Sequence, residues 1–254
     1  MVTARDTDAV AEVMRACTRL GVPLTFRSGG TSLSGQALSD SVLVDTRTGF
    51  RGIEVLDGGA RVRVQPGATI RAVNTRLTPY GRKLGPDPAS EVACTVGGVL
   101  ANNSSGMQCG TELNSYHTVE SMVLVLPSGT VVDSAAPGAS RLLAEQEPEL
   151  HAGLLQLQGR IRSDDASVAT LERLFALKNT MGYGLNSFLD HDDPLDVLVH
   201  LMVGSEGTLG FIASAVFRTV EVLPHAATGL LVFDDLGTAS SSVPDVLATG
   251  VATA

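Results

Sequence analysis

Apolar residues Val10, Val13, Met14, Cys17 and Leu20 recur at helical spacing, so residues 7–20 should form a helix that Thr7 can cap and Gly21 ends. The period then shortens. Residues 23–26 and 42–45 are brief apolar runs of strand length, separated by a loop of small polar residues from Arg27 to Gly35. Residues 52–56 and 61–65 read as a hairpin across Asp57-Gly58-Gly59. The strict alternation in Arg61-Val62-Arg63-Val64-Gln65 leaves one of its faces in solvent. A helix over 69–77 follows, with Thr69 as its cap. Gly85-Pro86-Asp87-Pro88 then breaks the chain and marks a subdomain boundary. Residues 95–106 are rich in glycine and asparagine. Residues 119–126 form a strongly apolar strand that Pro127-Ser128-Gly129 turns into Thr130-Val131-Val132. Residues 140–177 are mostly helical with a break at Ser163-Asp164-Asp165, and residues 194–202 form a short helix with Pro194 in its first turn. Residues 209–222 are strand-like, and residues 229–233 open the last stretch as a strand before a small-residue helix or tail. Strands and helices alternate without an internal repeat, which defines an α/β or α+β fold.

Composition narrows the partners. The chain has 254 residues, enough for one large domain or two smaller ones, and 44% hydrophobic against 18% charged residues excludes wholesale disorder. Eighteen basic residues against 27 acidic leave a net charge of −9, so no basic face offers itself to nucleic acid. Backbone N–H groups can still hold an anion. No apolar run reaches the roughly 18 residues of a membrane span, and no signal-peptide pattern opens the chain. Cys17, Cys94 and Cys109 form no C-x-x-C pair, which argues against a disulfide framework or an iron–sulfur cluster in this chain and fits a reducing compartment. The expected location is cytoplasmic, with peripheral membrane association allowed. The 27 glycines imply many special backbone positions.

Three segments carry the chemistry. In Arg27-Ser28-Gly29-Gly30-Thr31-Ser32-Leu33-Ser34-Gly35 the glycine pair lets the backbone turn sharply, and successive N–H groups can then point into one anion-binding concavity. The same residues also suit a surface turn. Gly30 and Gly35 have the outer spacing of a Walker A loop, but Gln36 and Ala37 stand where its Lys and Ser/Thr belong, and no G-x-G-x-x-G occurs. The second segment, Thr95-Val96-Gly97-Gly98 through Asn102-Asn103-Ser104-Ser105-Gly106, starts as a helix whose glycines allow close approach of something flat, or simply tight packing. The third, Gly204-Ser205-Glu206-Gly207-Thr208-Leu209-Gly210, opens into a strand. The five histidines show no metal-ligand spacing, and G-x-S-x-G is absent. His191-Asp192-Asp193 reads as a solvated turn, and Glu145, Glu147 and Glu149 as a solvated face. Arg82 and Lys83 suit the surface better than a carboxylate substrate.

Taken together and in this order, the three segments resemble the FAD-binding domain of the vanillyl-alcohol oxidase/p-cresol methylhydroxylase superfamily. The resemblance covers roughly residues 5–225. It is nearest to the FAD-linked D-2-hydroxy-acid dehydrogenases that act on D-lactate, glycolate or D-2-hydroxyglutarate. Lys178-Asn179-Thr180-Met181-Gly182-Tyr183-Gly184-Leu185-Asn186 is similar to a stretch that these enzymes place just before the third segment. The resemblance implies an α+β fold in which two α/β subdomains, residues 1–85 and 86–224, clasp FAD. It implies that Ser28, Gly29, Gly30, Thr31, Ser32, Leu33 and Ser34 hold the pyrophosphate. Pro86, Asp87, Thr95, Gly97, Gly98, Asn102, Ser105 and Gly106 would line the ribityl and isoalloxazine portion. Glu206, Gly210, Phe211 and Ile212 would lie towards the adenosine. Thr31 stands where some members carry a flavin-linked histidine, which implies non-covalent FAD, and Cys94 reads as a small buried thiol. Residues 225–254 resemble the opening of a substrate or cap domain, so the chain reads as the cofactor part of a longer enzyme whose catalytic base, substrate-binding arginines and any metal site lie elsewhere. That enzyme would oxidise the C2 hydroxyl of a D-2-hydroxy acid, passing hydride to flavin N5 and electrons on to a quinone or an electron-transfer protein. An alcohol or sugar oxidase of the same superfamily and a non-catalytic nucleotide-binding module are the alternatives.

Overall fold

A computed structural model describes residues 1–180, 182–225 and 227–250. The first unit is built from β1 (Val2–Thr3), α1 (Thr7–Leu20), β2 (Leu24–Arg27) and β3 (Val42–Asp45). The cap of α1 is Asp6, one residue before the expected Thr7, and its carboxylate accepts the Ala9 N–H at 2.8 Å. Gly21 ends the helix in the left-handed region at φ 62°, where a residue without Cβ carries no steric cost. The helix buries Val10, Ala11, Met14 and Cys17, and the strands form a parallel sheet in the order β1-β3-β2.

The hairpin forms as expected: β4 (Ile53–Leu56) pairs antiparallel with β5 (Arg61–Val64), whose valines are buried while its arginines are exposed. Thr69 caps α2 (Ile70–Leu77) through its side chain, and β6 (Arg82–Lys83) follows. Then come α3 (Val96–Ala101), α4 (Ser115–Thr118), β7 (Val119–Val125) and β8 (Val131–Asp133). The helical region divides into α5 (Ala139–Gln146), α6 (Pro148–Arg162) and α7 (Asp165–Phe175), with the later break at residues 163–164 as expected. The chain continues through α8 (Ser187–Asp190), α9 (Pro194–Met202), β9 (Phe211–Arg218), β10 (Val220–Glu221) and α10 (Leu236–Ala248).

The second sheet has five antiparallel strands in the order β4-β5-β9-β7-β8. Its strands come from both sides of Gly85. Strands β4 and β5, which precede Gly85, pair into a sheet whose other members follow it, so the two sheets part between Asp45 and Ile53. Gly85 and Pro86 are buried, and a Cβ on Gly85 would collide with the Leu113 carbonyl oxygen. Burial of Val62 and Val64 beside β9 is the stronger claim on the hairpin.

Central strands β7 and β9 join two cores. Val125, Phe211 and Ala213 pack with Val10, Met14, Val44 and Phe50, while Leu124, Ala215 and Phe217 pack with the helices of the larger core. Phe211 sits between Phe26 and Phe50, with ring centroids 4.8 and 5.2 Å away. The strand expected over 229–233 does not form. Leu230 and Val232 are 89% and 83% exposed, no described strand pairs with them, and α10 buries none of its residues. Apolar content confers strand propensity, but a strand needs a partner edge.

Candidate cofactor site

A cavity of about 370 Å³ opens where β2 and β3 end, between the first unit and the second sheet. The loop after β2, the start of α3 and the turn before β9 meet on it. Ser28, Gly29, Gly30, Thr31, Ser32, Leu33 and Ser34 line one wall, Thr95, Gly97, Gly98 and Asn102 another, and Glu206, Phe211 and Ile212 a third.

Hydrogen bonds stitch these walls together. The Thr95 hydroxyl donates to Ser28 Oγ at 2.6 Å and accepts the Gly29 N–H at 2.9 Å. Ser28 Oγ in turn donates to the Pro66 carbonyl at 2.8 Å, and the Gly97 N–H donates to the same carbonyl at 3.0 Å. Contact demands glycine at 97 and leaves little room at 29. A Cβ on Gly97 would stand 2.6 Å from Pro66 Cβ, and one on Gly29 would stand 3.1 Å from the Ala93 carbonyl oxygen. Gly98 has nothing within 4 Å and leaves its side of α3 open to the cavity. The third wall is tied to α3 by N–H donation from Gly204 to the Leu100 carbonyl at 2.9 Å and from Glu206 to the Ala101 carbonyl at 2.8 Å. Glu206 is held at φ 52°, strain that a non-glycine residue keeps only where its surroundings over-determine it.

The cavity is rich in unspent donors. Among the described residues, the N–H groups of Gly30, Thr31, Ser32 and Leu33 have no protein acceptor. The hydroxyl of Ser205, a lining residue only 2% exposed, has no partner either. Glu206 is the single charged side chain in the described lining, and burial pushes its carboxyl above the usual range. Burial likewise raises the Cys94 thiol in the cavity wall, which keeps it protonated and inert, in line with the buried-thiol reading.

Five of the expected residues lie outside this lining. Asp87 accepts the Gln108 and Cys109 N–H groups at 3.0 and 3.1 Å, and Gly106 packs so tightly on the Asp87 backbone that a Cβ would have no space. Lys178 Nζ donates to the Gly106 carbonyl at 2.8 Å. Pro86 is buried, and Ser105 has a buried hydroxyl without a partner. Gly210 is pressed against β7, where a Cβ would meet the Val125 carbonyl oxygen at 2.8 Å. Residues outside the sequence-based set also line the cavity, among them Phe26, Gln36, Thr46, Pro66, Ser90 and Ser104. Thr46 directly follows a parallel strand, and ligands of parallel sheets bind at the carboxyl ends of strands, so that rule could have found it. Nothing local marks Pro66, which reaches the site only through the hairpin.

The other candidates serve the fold. Arg82 donates to the Thr219 carbonyl at 2.9 Å and Lys83 to Gln108 Oε1 at 2.8 Å. The His191 carbonyl accepts from Gln158 and Arg162, and Asp193 caps α9. Tyr116 donates to Asp190 at 2.7 Å beside the stacked rings of His191 and His200, 3.9 Å apart. No described group of three His, Cys, Asp or Glu side chains could hold a metal, and no described helix is long and apolar enough to cross a membrane. Residue 181, within the stretch 178–186, lies outside the described residues, as do residues 226 and 251–254.

A nest of free N–H groups at the strand ends, glycines that admit close approach and a deep slot between two sheets define an FAD-binding domain of the p-cresol methylhydroxylase type, and the chain belongs to the FAD binding domain family, matching it over residues 1–135. It is similar to the glycolate oxidase subunit GlcD of Escherichia coli (strain K12), 28% identical over 257 residues, with 99% of this chain and 40% of that protein covered. A D-2-hydroxyglutarate dehydrogenase of Haemophilus influenzae is 27% identical over 222 residues, covering 81% of this chain and 21% of that one. The chain therefore spans less than half the length of these relatives. Among solved structures, an alkyldihydroxyacetonephosphate synthase superposes with a TM-score of 0.61 at 19% identity, covering 98% of this chain and 37% of the other.

The residues present fit FAD. The orphaned Ser205 hydroxyl, the unspent N–H groups of Gly30, Thr31, Ser32 and Leu33 and the open side of Gly98 are the features that a diphosphate bearing a flat ring system would satisfy.

Proposed function

We propose that this chain is the FAD-holding part of a dehydrogenase that oxidises a D-2-hydroxy acid of the D-lactate, glycolate or D-2-hydroxyglutarate type to the 2-keto acid. The observation that carries the reading is the convergence of three sequence-distant glycine-rich segments on one cavity whose donors are unspent. The relatives named for glycolate and D-2-hydroxyglutarate oxidation supply the substrate class. When bound, FAD supplies the two-electron acceptor for the C2–H and O–H bonds that are broken.

The chain's own residues bind and orient. The free N–H groups of residues 30–33 take the diphosphate, and Thr95 holds that loop in shape through Ser28 and Gly29. Gly97 and Gly98 bring α3 close to the ring system. Asp87 and Gly106 pack on one another outside the lining, and Asp87 fixes the Gln108 and Cys109 N–H groups. Glu206, Phe211 and Ile212 close the far wall, and Gly210 lets β9 start flush against β7. Thr31 offers no nucleophilic nitrogen for a histidine-type flavin link, which supports a non-covalent cofactor. A quinone or an electron-transfer protein then takes the electrons.

The test has two stages. The purified protein should be yellow with a flavin spectrum, and acid precipitation should release all of the flavin into the supernatant. A colourless protein that added FAD cannot colour overturns the cofactor assignment. Anaerobic stopped-flow mixing of the full-length enzyme with D-lactate, glycolate and D-2-hydroxyglutarate should bleach the flavin with at least one of them; if none does, the hydroxy-acid assignment fails.

A further inference from the structure

The cavity that receives a diphosphate has no lysine or arginine in its described lining, and its single formal charge, on Glu206, has the wrong sign. A diphosphate withdrawn from water needs a counter-charge. Arg27, the last residue of β2, lies behind the loop. It is in register with Asp45 across β2 and β3, yet Asp45 is already taken: Arg47 engages that carboxylate with Nη2 at 2.7 Å, Nε at 3.2 Å and its backbone N–H at 2.8 Å. Among the described residues Arg27 makes no close ion pair and no side-chain hydrogen bond, its charge reaches Asp45 only at longer range, and its Nε is buried without a partner. A buried donor on a charged group left unpaired is costly, so its retention calls for an explanation.

The guanidinium is held directly beneath Gly30. A Cβ built on that glycine would stand 2.8 Å from Arg27 Nε and 3.2 Å from Nη2. Gly30 itself lines the cavity, at φ 65°, and its N–H is one of the free donors. The cation thus lies against a residue of the nest without itself lining the cavity.

We propose that Arg27 is the counter-charge of the cofactor's diphosphate, acting across the backbone of Gly30 on an anion held by the N–H groups of residues 30–33. The assignment rests on the FAD reading above and adds to it the charge that the lining lacks. Gly30 then has a second role besides its left-handed backbone, because any side chain there would push the guanidinium away from the loop.

Full-length apo-protein should be titrated with FAD and with riboflavin, which carries no phosphate, in wild type, Arg27→Met and Arg27→Lys. A unit charge at this range in a protein-like dielectric predicts roughly tenfold weaker FAD binding in Arg27→Met. Riboflavin binding should be unchanged, and Arg27→Lys should stay within about threefold of wild type for FAD. Added NaCl should weaken FAD binding less steeply in Arg27→Met than in wild type. Apo-protein melting and far-UV circular dichroism verify that each variant is folded. The proposal is overturned if Arg27→Met binds FAD with wild-type affinity and salt dependence, or if FAD and riboflavin affinities fall together, which would make Arg27 a support of the loop's shape. Wild type that binds neither ligand overturns the FAD reading and this one with it, whereas wild type that binds FAD alongside an unaffected Arg27→Met overturns only the role of Arg27.

Discussion

At the scale of single residues, neighbouring glycines have different duties. Gly97 is where α3 meets Pro66, and Gly98 is where α3 faces the cavity. Gly97→Ala should therefore destabilise the apo-protein by about 1–3 kcal/mol, because the new methyl forces backbone apart in a packed contact. Gly98→Ala has room and an ordinary helical backbone, so apo-protein stability should hold or rise slightly, by up to about 1 kcal/mol. Its methyl would nonetheless occupy cofactor space, and flavin affinity should fall. Thermal melts of the two apo-proteins beside flavin titrations separate the two duties; equal melts would show that the Pro66 contact yields without cost.

At the scale of elements, the caps decide where helices start. Asp6, Thr69, Asp164, Asp193 and Asp235 each accept an N–H from the first turn of the helix that follows. Asp6→Ala should cost about 1 kcal/mol, since one N–H of α1 loses its acceptor and the residue is replaced by a poor cap. Chemical denaturation should register this as a lower midpoint with an unchanged slope. Local signals of this kind made α1, α2, α9 and the β4–β5 hairpin legible in the sequence, because caps, turns and periodicity are settled by residues a few positions apart. They failed at residues 229–233, where the apolar run has no partner edge.

At the scale of the whole molecule, stability is tied to pH through α9. Burial drives the His200 imidazole down to about 4 from its ordinary 6.5, with His191 and His117 adding to the fall while the Asp196 carbonyl and Asp190 oppose it. The folded state thus keeps His200 neutral while the unfolded chain takes up a proton. Stability should be complete above about pH 6.5, fall as pH drops from there towards 4, and lose nothing further from this group below it. His200→Gln should flatten the dependence across that window in urea denaturation run from pH 7 to pH 4; an unchanged slope would locate the proton uptake in another group.

The sequence by itself determined α1, α2 with its Thr69 cap, α9, the hairpin and the three glycine-rich segments, since each rests on short-range sterics and hydrogen bonding. Fourteen of the nineteen residues that the family resemblance nominated line one cavity. Only the tertiary structure decided that residues 53–64 join β9 in the second sheet and that Gly85 lies inside the protein. It also decided that Thr46 and Pro66 complete the cavity wall and that Arg47, rather than Arg27, takes Asp45. Those outcomes depend on burial and pairing between segments far apart in the chain, and the competition among possible partners is settled by how much apolar surface and how many polar groups each arrangement satisfies at once.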